Sequence, residues 1–162
     1  MFDDLFAANR AYTSDFDLEG LPARAGRGFG LVTCIDSRIE PLAMFGLRPG
    51  DAKILRNAGG RVTTDVLRSL VLATTFLGVT RIAVMHHTEC AMAQRSEADV
   101  KAVLAAGGVD ADGWDFLTMA DPDAALAGDV RAVRTCGLLP EGVGIEGWRY
   151  DVSTGAVARV VT

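Results

Sequence analysis

The chain has no run of lysine and arginine, no apolar stretch long enough to cross a bilayer, and no even set of cysteines. Each absence removes a class of protein. Sixteen basic against twenty-one acidic residues leave a net charge of −5. Phosphate backbones and anionic lipid surfaces need clustered positive charge, so neither nucleic acid nor membrane is an expected partner. A spanning helix needs about 20 consecutive apolar residues, and the runs here are shorter and interrupted. The first residues, Met1-Phe2-Asp3-Asp4-Leu5, are acidic where a secretory leader is basic. Three cysteines, an odd count, fit a reducing cytoplasm better than a disulfide framework. Thiols kept reduced there stay available to a metal. Internal repeats, low-complexity tracts and linkers are missing as well.

What remains is a well-filled globular chain. At 162 residues and 49% hydrophobic content, one domain is expected, able to bury roughly 70% of its unfolded surface. Apolar spacing predicts a short amphipathic helix over 2–12. A buried strand over 29–34 delivers Cys34 at its end. A short helix is expected over 39–47, with Pro41 tolerable only in its first turn, then turn chemistry at Arg48-Pro49-Gly50-Asp51. A strand over 52–55 leads into Arg56-Asn57-Ala58-Gly59-Gly60. The 65–77 segment reads as a helix capped by Thr63 or Thr64 and ended by Gly78.

A third strand over 81–86 hands over directly to His87. Ser96-x-x-Asp99 resembles a capping box opening a helix to about Ala106. Asp121-Pro122 supplies a cap and a first-turn proline for another, ending near Gly137. Residues 142–152 and 156–161 read as a terminal β-hairpin. The alternation predicts an α/β fold: a mostly parallel central sheet flanked by helices, with a C-terminal β-hairpin. The expected organisation is one domain over 1–162, with an N-terminal helix and arm (1–28), a core carrying the site (29–90), and a helical segment with the hairpin (91–162).

Two clusters carry the chemistry: Cys34-Ile35-Asp36-Ser37-Arg38 and His87-Thr88-Glu89-Cys90. Each closes an apolar run, and sites in open α/β sheets form outside the carboxyl ends of strands. Two thiolates and an imidazole suit zinc, and three protein ligands leave a tetrahedral ion one open position, as catalytic sites require. Each cluster alone has a bland reading, a small buried cysteine or a hydrogen-bonded histidine. The pair at matching strand ends points to a metal held by Cys34, His87 and Cys90. Asp36 and Arg38, two apart, can form a charge-assisted pair. Asp36 is then either a fourth metal ligand in a closed state or an acceptor for a proton from bound water, with Arg38 holding it off the metal.

Cys-x-Asp-x-Arg followed by His-x-x-Cys resembles the β-class carbonic anhydrases, and Arg56-Asn57-Ala58-Gly59-Gly60 is similar to that family's Arg-Asn-x-Gly loop. The short length and His86-His87-Thr88 resemble its compact actinobacterial-type members. The resemblance implies Zn²⁺ on Cys34, His87 and Cys90, and Asp36 with Arg38 as the catalytic dyad. It implies reversible hydration of carbon dioxide to bicarbonate and a proton. It also implies a homodimer or higher oligomer, with the N-terminal helix wrapping a partner and the cleft at the interface. Asn57, Gly59 and Gly60 are candidate cleft-lining residues, or simply a tight loop.

Where that family has Gly after the second Cys, this chain has Ala91. The change is harmless if a helix opens there and costly if the position needs positive φ. His86 reads as structural, Cys136 as a buried thiol in a helix, and Trp114 and Trp148 as packing residues. Two alternatives stand beside CO2 hydration: hydrolysis of carbonyl sulfide or carbon disulfide by the same zinc hydroxide, and a non-catalytic zinc- or bicarbonate-binding protein. A cysteine-nucleophile phosphatase is disfavoured, because only Ile35, Asp36 and Ser37 separate Cys34 from Arg38.

Overall fold

A computed structural model describes all residues, 1–162. Its elements in chain order are α1 (Asp3–Ser14), β1 (Phe29–Cys34), β2 (Ala52–Asn57), α2 (Thr64–Phe76), β3 (Arg81–His87), α3 (Glu97–Ala106), α4 (Pro122–Arg134), β4 (Gly144–Tyr150) and β5 (Val157–Val161). The strands form one sheet in the order β2-β1-β3-β4-β5. The first four are mutually parallel, and β5 returns antiparallel to β4 as the expected hairpin.

Period-two alternation sends the strand side chains to two cores. Val32, Ile82 and Val84 meet Val66, Leu70 and Ala73 of α2 and Leu126, Val130 and Val133 of α4. Phe29, Leu31, Ala83 and Met85 point the other way, against Ile39, Met119 and Tyr150. Helices therefore flank one face, while loops cover the other. The helix starts follow their capping chemistry. Thr63 accepts from the Val66 amide, Ser96 and Asp99 make a reciprocal capping box, and Asp121 caps α4 with Pro122 in its first turn.

Three expectations need correction. The helix expected over 39–47 is only a single 3₁₀ turn, Ala43–Phe45, ended by Gly46 at φ 61°. Pro41 leaves too few residues before that left-handed glycine for a nucleus to propagate. Cys136 lies beyond α4, which stops at Arg134, and is half-buried. Trp114 is 68% exposed, stacked only on Phe116, so it packs no core. Trp148 does pack, against Phe29 and Phe45.

The strand order explains where chemistry can gather. From β1 the chain steps to β2 on one side, then α2 carries it across to β3 on the other. That reversal opens a crevice at the carboxyl ends of β1 and β3, the switch point at which open α/β sheets bind ligands.

Candidate metal centre

Cys34 is the last residue of β1 and His87 the last of neighbouring β3. The parallel register pairs Thr33 with Met85, so His87 stands one residue beyond the level of Cys34 on the neighbouring strand. The turn after β3 then brings Cys90 back. The sulfurs of Cys34 and Cys90 and a ring nitrogen of His87 all lie within 4.8 Å of one another, and all three residues are buried. The structure thus gathers the three residues that the sequence singled out.

The state of His87 tests whether an ion fits. Its Nδ1 lies 2.8 Å from the Thr88 carbonyl, which can only accept, so Nδ1 carries the hydrogen. Nε2 is left with a free lone pair, buried and without a hydrogen-bond partner. A buried unsatisfied acceptor costs about 1–3 kcal/mol, and a cation between the two sulfurs would take up that lone pair. The sulfurs are prepared too. Cys34 is pushed well below an ordinary thiol, chiefly by the Cys90 S–H and further by the Asp36 and Gly59 amides, against the cost of burial. Cys90, sharing that proton and desolvated, is pushed up. A dication would displace the shared proton, since the thiolate is the ligand form.

Asp36 lies beside this group, with Oδ2 3.9 Å from His87 Nε2. Arg38 grips it with a fork: Nε donates to Oδ1 at 3.0 Å and Nη2 to Oδ2 at 2.8 Å, while the Arg38 amide reaches Oδ1 at 2.9 Å. Those bonds, led by the Arg38 side chain, hold the carboxyl far below its usual range, so Asp36 is a carboxylate at neutral pH.

Two supporting residues were missed in the sequence. Glu89, with its backbone left-handed at φ 55°, accepts from Arg38 Nη1 at 2.9 Å. One guanidinium thereby links the turn after β1 to the turn after β3. Arg56 donates through Nε to the Cys34 carbonyl at 2.9 Å and through Nη2 to the Asp36 carbonyl at 2.7 Å. It clamps the segment carrying both a sulfur and the carboxylate. Glu89 could have been suspected from its place inside His-x-x-Cys; nothing local marks the aim of Arg56.

The residues offered as cleft lining are placed as follows. Asn57 turns inward, its Nδ2 donating to the Arg61 carbonyl at 2.7 Å. Gly59 gives its amide to the Cys34 sulfur. Gly60, at φ 68°, presses on the β1 backbone, where an added Cβ would sit 3.0 Å from the Thr33 carbonyl carbon and 3.1 Å from the Cys34 nitrogen. Gly60→Ala is expected to lose at least about 1–2 kcal/mol from the left-handed backbone alone, with the contact adding to it. Chemical denaturation measures the loss, and unchanged stability would refute the close approach. Ala91 is not among the positive-φ residues. It lies in a turn, α3 beginning only at Glu97, and the Met92 and Ala93 amides face the Cys90 sulfur. The harmless reading holds, with a turn in place of the expected helix.

Fold and site together define a metal-binding α/β protein with a Cys₂His group at the sheet's switch point and a carboxylate–guanidinium pair beside it. Residues 30–110 match the carbonic anhydrase family model. β-Carbonic anhydrase 1 of Mycobacterium tuberculosis is 30% identical over 158 residues, spanning 98% of this chain and 96% of that one. The carbonic anhydrase of Streptococcus mutans superimposes with a TM-score of 0.92 at 41% identity, over 98% and 96% of the two chains. A carbon disulfide hydrolase of Acidithiobacillus thiooxidans is 32% identical over 149 residues, covering 80% of this chain and 75% of the relative. The chain belongs to the β-class carbonic anhydrases.

Proposed function

We propose that the chain is a zinc enzyme catalysing the reversible hydration of carbon dioxide to bicarbonate and a proton, with Cys34, His87 and Cys90 as the metal ligands and Asp36 with Arg38 as the catalytic dyad. One observation carries the assignment: two sulfurs and an unpartnered imidazole nitrogen converge beside a carboxylate already gripped by arginine. When bound, zinc supplies a Lewis acid that lowers the pKa of water from about 15.7 towards 7. Everything else falls to the chain. Asp36 accepts a hydrogen from the attacking water and fixes its orientation. Arg38 holds Asp36 ionised and turned towards itself, which favours the dyad role over a fourth ligand. Arg56 keeps Cys34 and Asp36 in register. The reaction's proton leaves to solvent.

The decisive experiment measures zinc per chain together with the rate of CO2 hydration. About one zinc per chain with rapid hydration supports the assignment; an active protein without metal ends it. Likeness to carbon disulfide hydrolases makes hydrolysis of carbon disulfide or carbonyl sulfide the second reading. Parallel assays with those substrates separate the two.

We further propose that residues 1–162 act as one domain, that the chain works in the cytoplasm, and that it assembles as a homodimer or higher oligomer. No helix is long and apolar enough to cross a membrane. Helix α1 buries none of its residues, and Phe2, Leu5 and Phe6 stand 61–63% exposed beside Asp3 and Asp4. On the loop-covered face, a groove of about 490 Å³ is lined by Phe29, Phe45 and Trp148 with Arg27, Arg81 and Arg159. Its apolar floor, rimmed by Arg27 and Arg81 with Arg159 paired to Glu146, suits α1 of a second copy. Leu5→Glu with Phe6→Glu is expected to shift the protein towards monomer in sedimentation, and an unchanged oligomer would refute that contact.

A further inference from the structure

The buried groups that CO2 hydration leaves unused meet at one carboxylate. Asp129 lies on α4 among Leu126, Val130 and Val133, facing the sheet and 4% exposed. Its Oδ2 accepts from Arg61 Nε at 2.7 Å and from His86 Nε2 at 3.1 Å; its Oδ1 accepts the Val62 amide at 3.1 Å. Burial alone would push its carboxyl up, but the bonds from His86, Arg61 and Val62 outweigh that and hold it low. A buried ionic cluster of this kind is weak evidence for stability, because apolar replacements of similar volume often do as well or better. Placement is the better reason for it.

The two side-chain donors lead towards the metal group by separate routes. Arg61 follows the Ala58–Gly60 turn, and its carbonyl holds Asn57. That turn presents the Gly59 amide to the Cys34 sulfur and seats Gly60 on the Thr33–Cys34 peptide. Arg61 Nη1 also donates to the Leu117 carbonyl at 2.7 Å. Leu117 is left-handed at φ 56°, and its neighbours' amides, Phe116 and Thr118, are tied to Glu97 at 3.1 and 2.9 Å. Two residues on, Met119 packs in the same cluster as Cys34 and Cys90. His86 directly precedes His87. Its Nδ1 is buried without a partner, so the bond to Asp129 alone orients the ring.

We infer that Asp129 is a positioning residue of the metal centre: through Arg61, Val62 and His86 it sets the placement of the turn against Cys34, of the strap carrying Met119, and of the strand end at His87. The inference rests on the metal-site assignment above. Outer partners of metal ligands commonly alter affinity or activity by about 10- to 100-fold when replaced.

The test compares wild type with Asp129→Asn, which keeps the shape and removes the charge. Zinc affinity is measured by chelator competition, the metal's surroundings by the visible spectrum after cobalt loading, and fold by circular dichroism. A folded variant with about 10- to 100-fold weaker zinc binding, a shifted cobalt spectrum and a lowered kcat at nearly constant KM supports the inference. A variant that merely melts earlier, with wild-type affinity and spectrum, overturns it. Should Asp129→Asn not fold, Arg61→Lys decides the question by the same measurements, since it keeps a charge facing Asp129 and loses the reach to Leu117. Wild-type protein that binds no zinc defeats the metal assignment; wild type and variant binding it equally defeats only the role of Asp129.

Discussion

Replacing Asp36 by alanine is expected to lower CO2 hydration by about 10²- to 10⁴-fold, the span of a positioned general acid–base group, while zinc stays at about one per chain. The two halves of that result have separate causes. Metal retention follows because Asp36 is not among the three converging residues and is bound in both its oxygens by Arg38. Loss of rate follows because no other carboxylate is poised to replace it. Glu89 is the nearest rival on Arg38, but it lies on the far side of the guanidinium at Nη1. Asp36→Asn sharpens the test. The amide keeps the size of the side chain and one acceptor oxygen but loses the charge, so the rate should fall with it. Zinc leaving with the carboxylate would instead make Asp36 a ligand. Hydration within about threefold of wild type would remove it from the chemistry altogether.

Legibility in the sequence divides by range of interaction. The strand ending at Cys34 and the one handing over to His87 announced themselves because side-chain alternation and apolar runs are local properties. The caps at Thr63, Ser96 and Asp121 were equally plain, each being a contact within three residues. Parallel neighbours could be argued from the strand–helix alternation, and with them the meeting of Cys34 with His87 and Cys90. Beyond that, local pattern ran out. Arg56 reaches back 20 and 22 residues to two backbone carbonyls, and no residue type marks a carbonyl as a partner. Glu89 meets Arg38 across 51 positions and only because its backbone turns left-handed. Asp129 reads as one more acidic residue on an amphipathic helix until α4 is laid on the sheet with that residue inward. The short helix expected over 39–47 failed for a local reason: Pro41 and left-handed Gly46 leave room for a single 3₁₀ turn only, although its apolar side chains still pack onto the second core.

Cys34→Ser is expected to strip the protein of zinc and take hydration to background without unfolding the chain. A serine hydroxyl stays protonated near neutrality and is a harder donor than thiolate, so it is a poor substitute on zinc. Two ligands would remain, both from the His87–Cys90 turn, and the link between β1 and β3 through the ion would be gone. The fold should survive because both hydrophobic clusters are complete without metal. The Gly59 and Asp36 amides that face the Cys34 sulfur can donate to a hydroxyl in its place. Stability then separates into two parts. Wild-type protein bearing zinc at a free concentration about 1,000 times its Kd should exceed its own apo form by about 4.1 kcal/mol, and the serine variant should match the apo form whether or not zinc is added. Metal analysis with denaturation in the presence and absence of chelator measures both. A serine variant that keeps about one zinc per chain, as resistant to chelator as wild type, would show that Cys34 does not hold the ion. A collapse of the variant's fold would show that metal, rather than the two cores, holds β1 against β3.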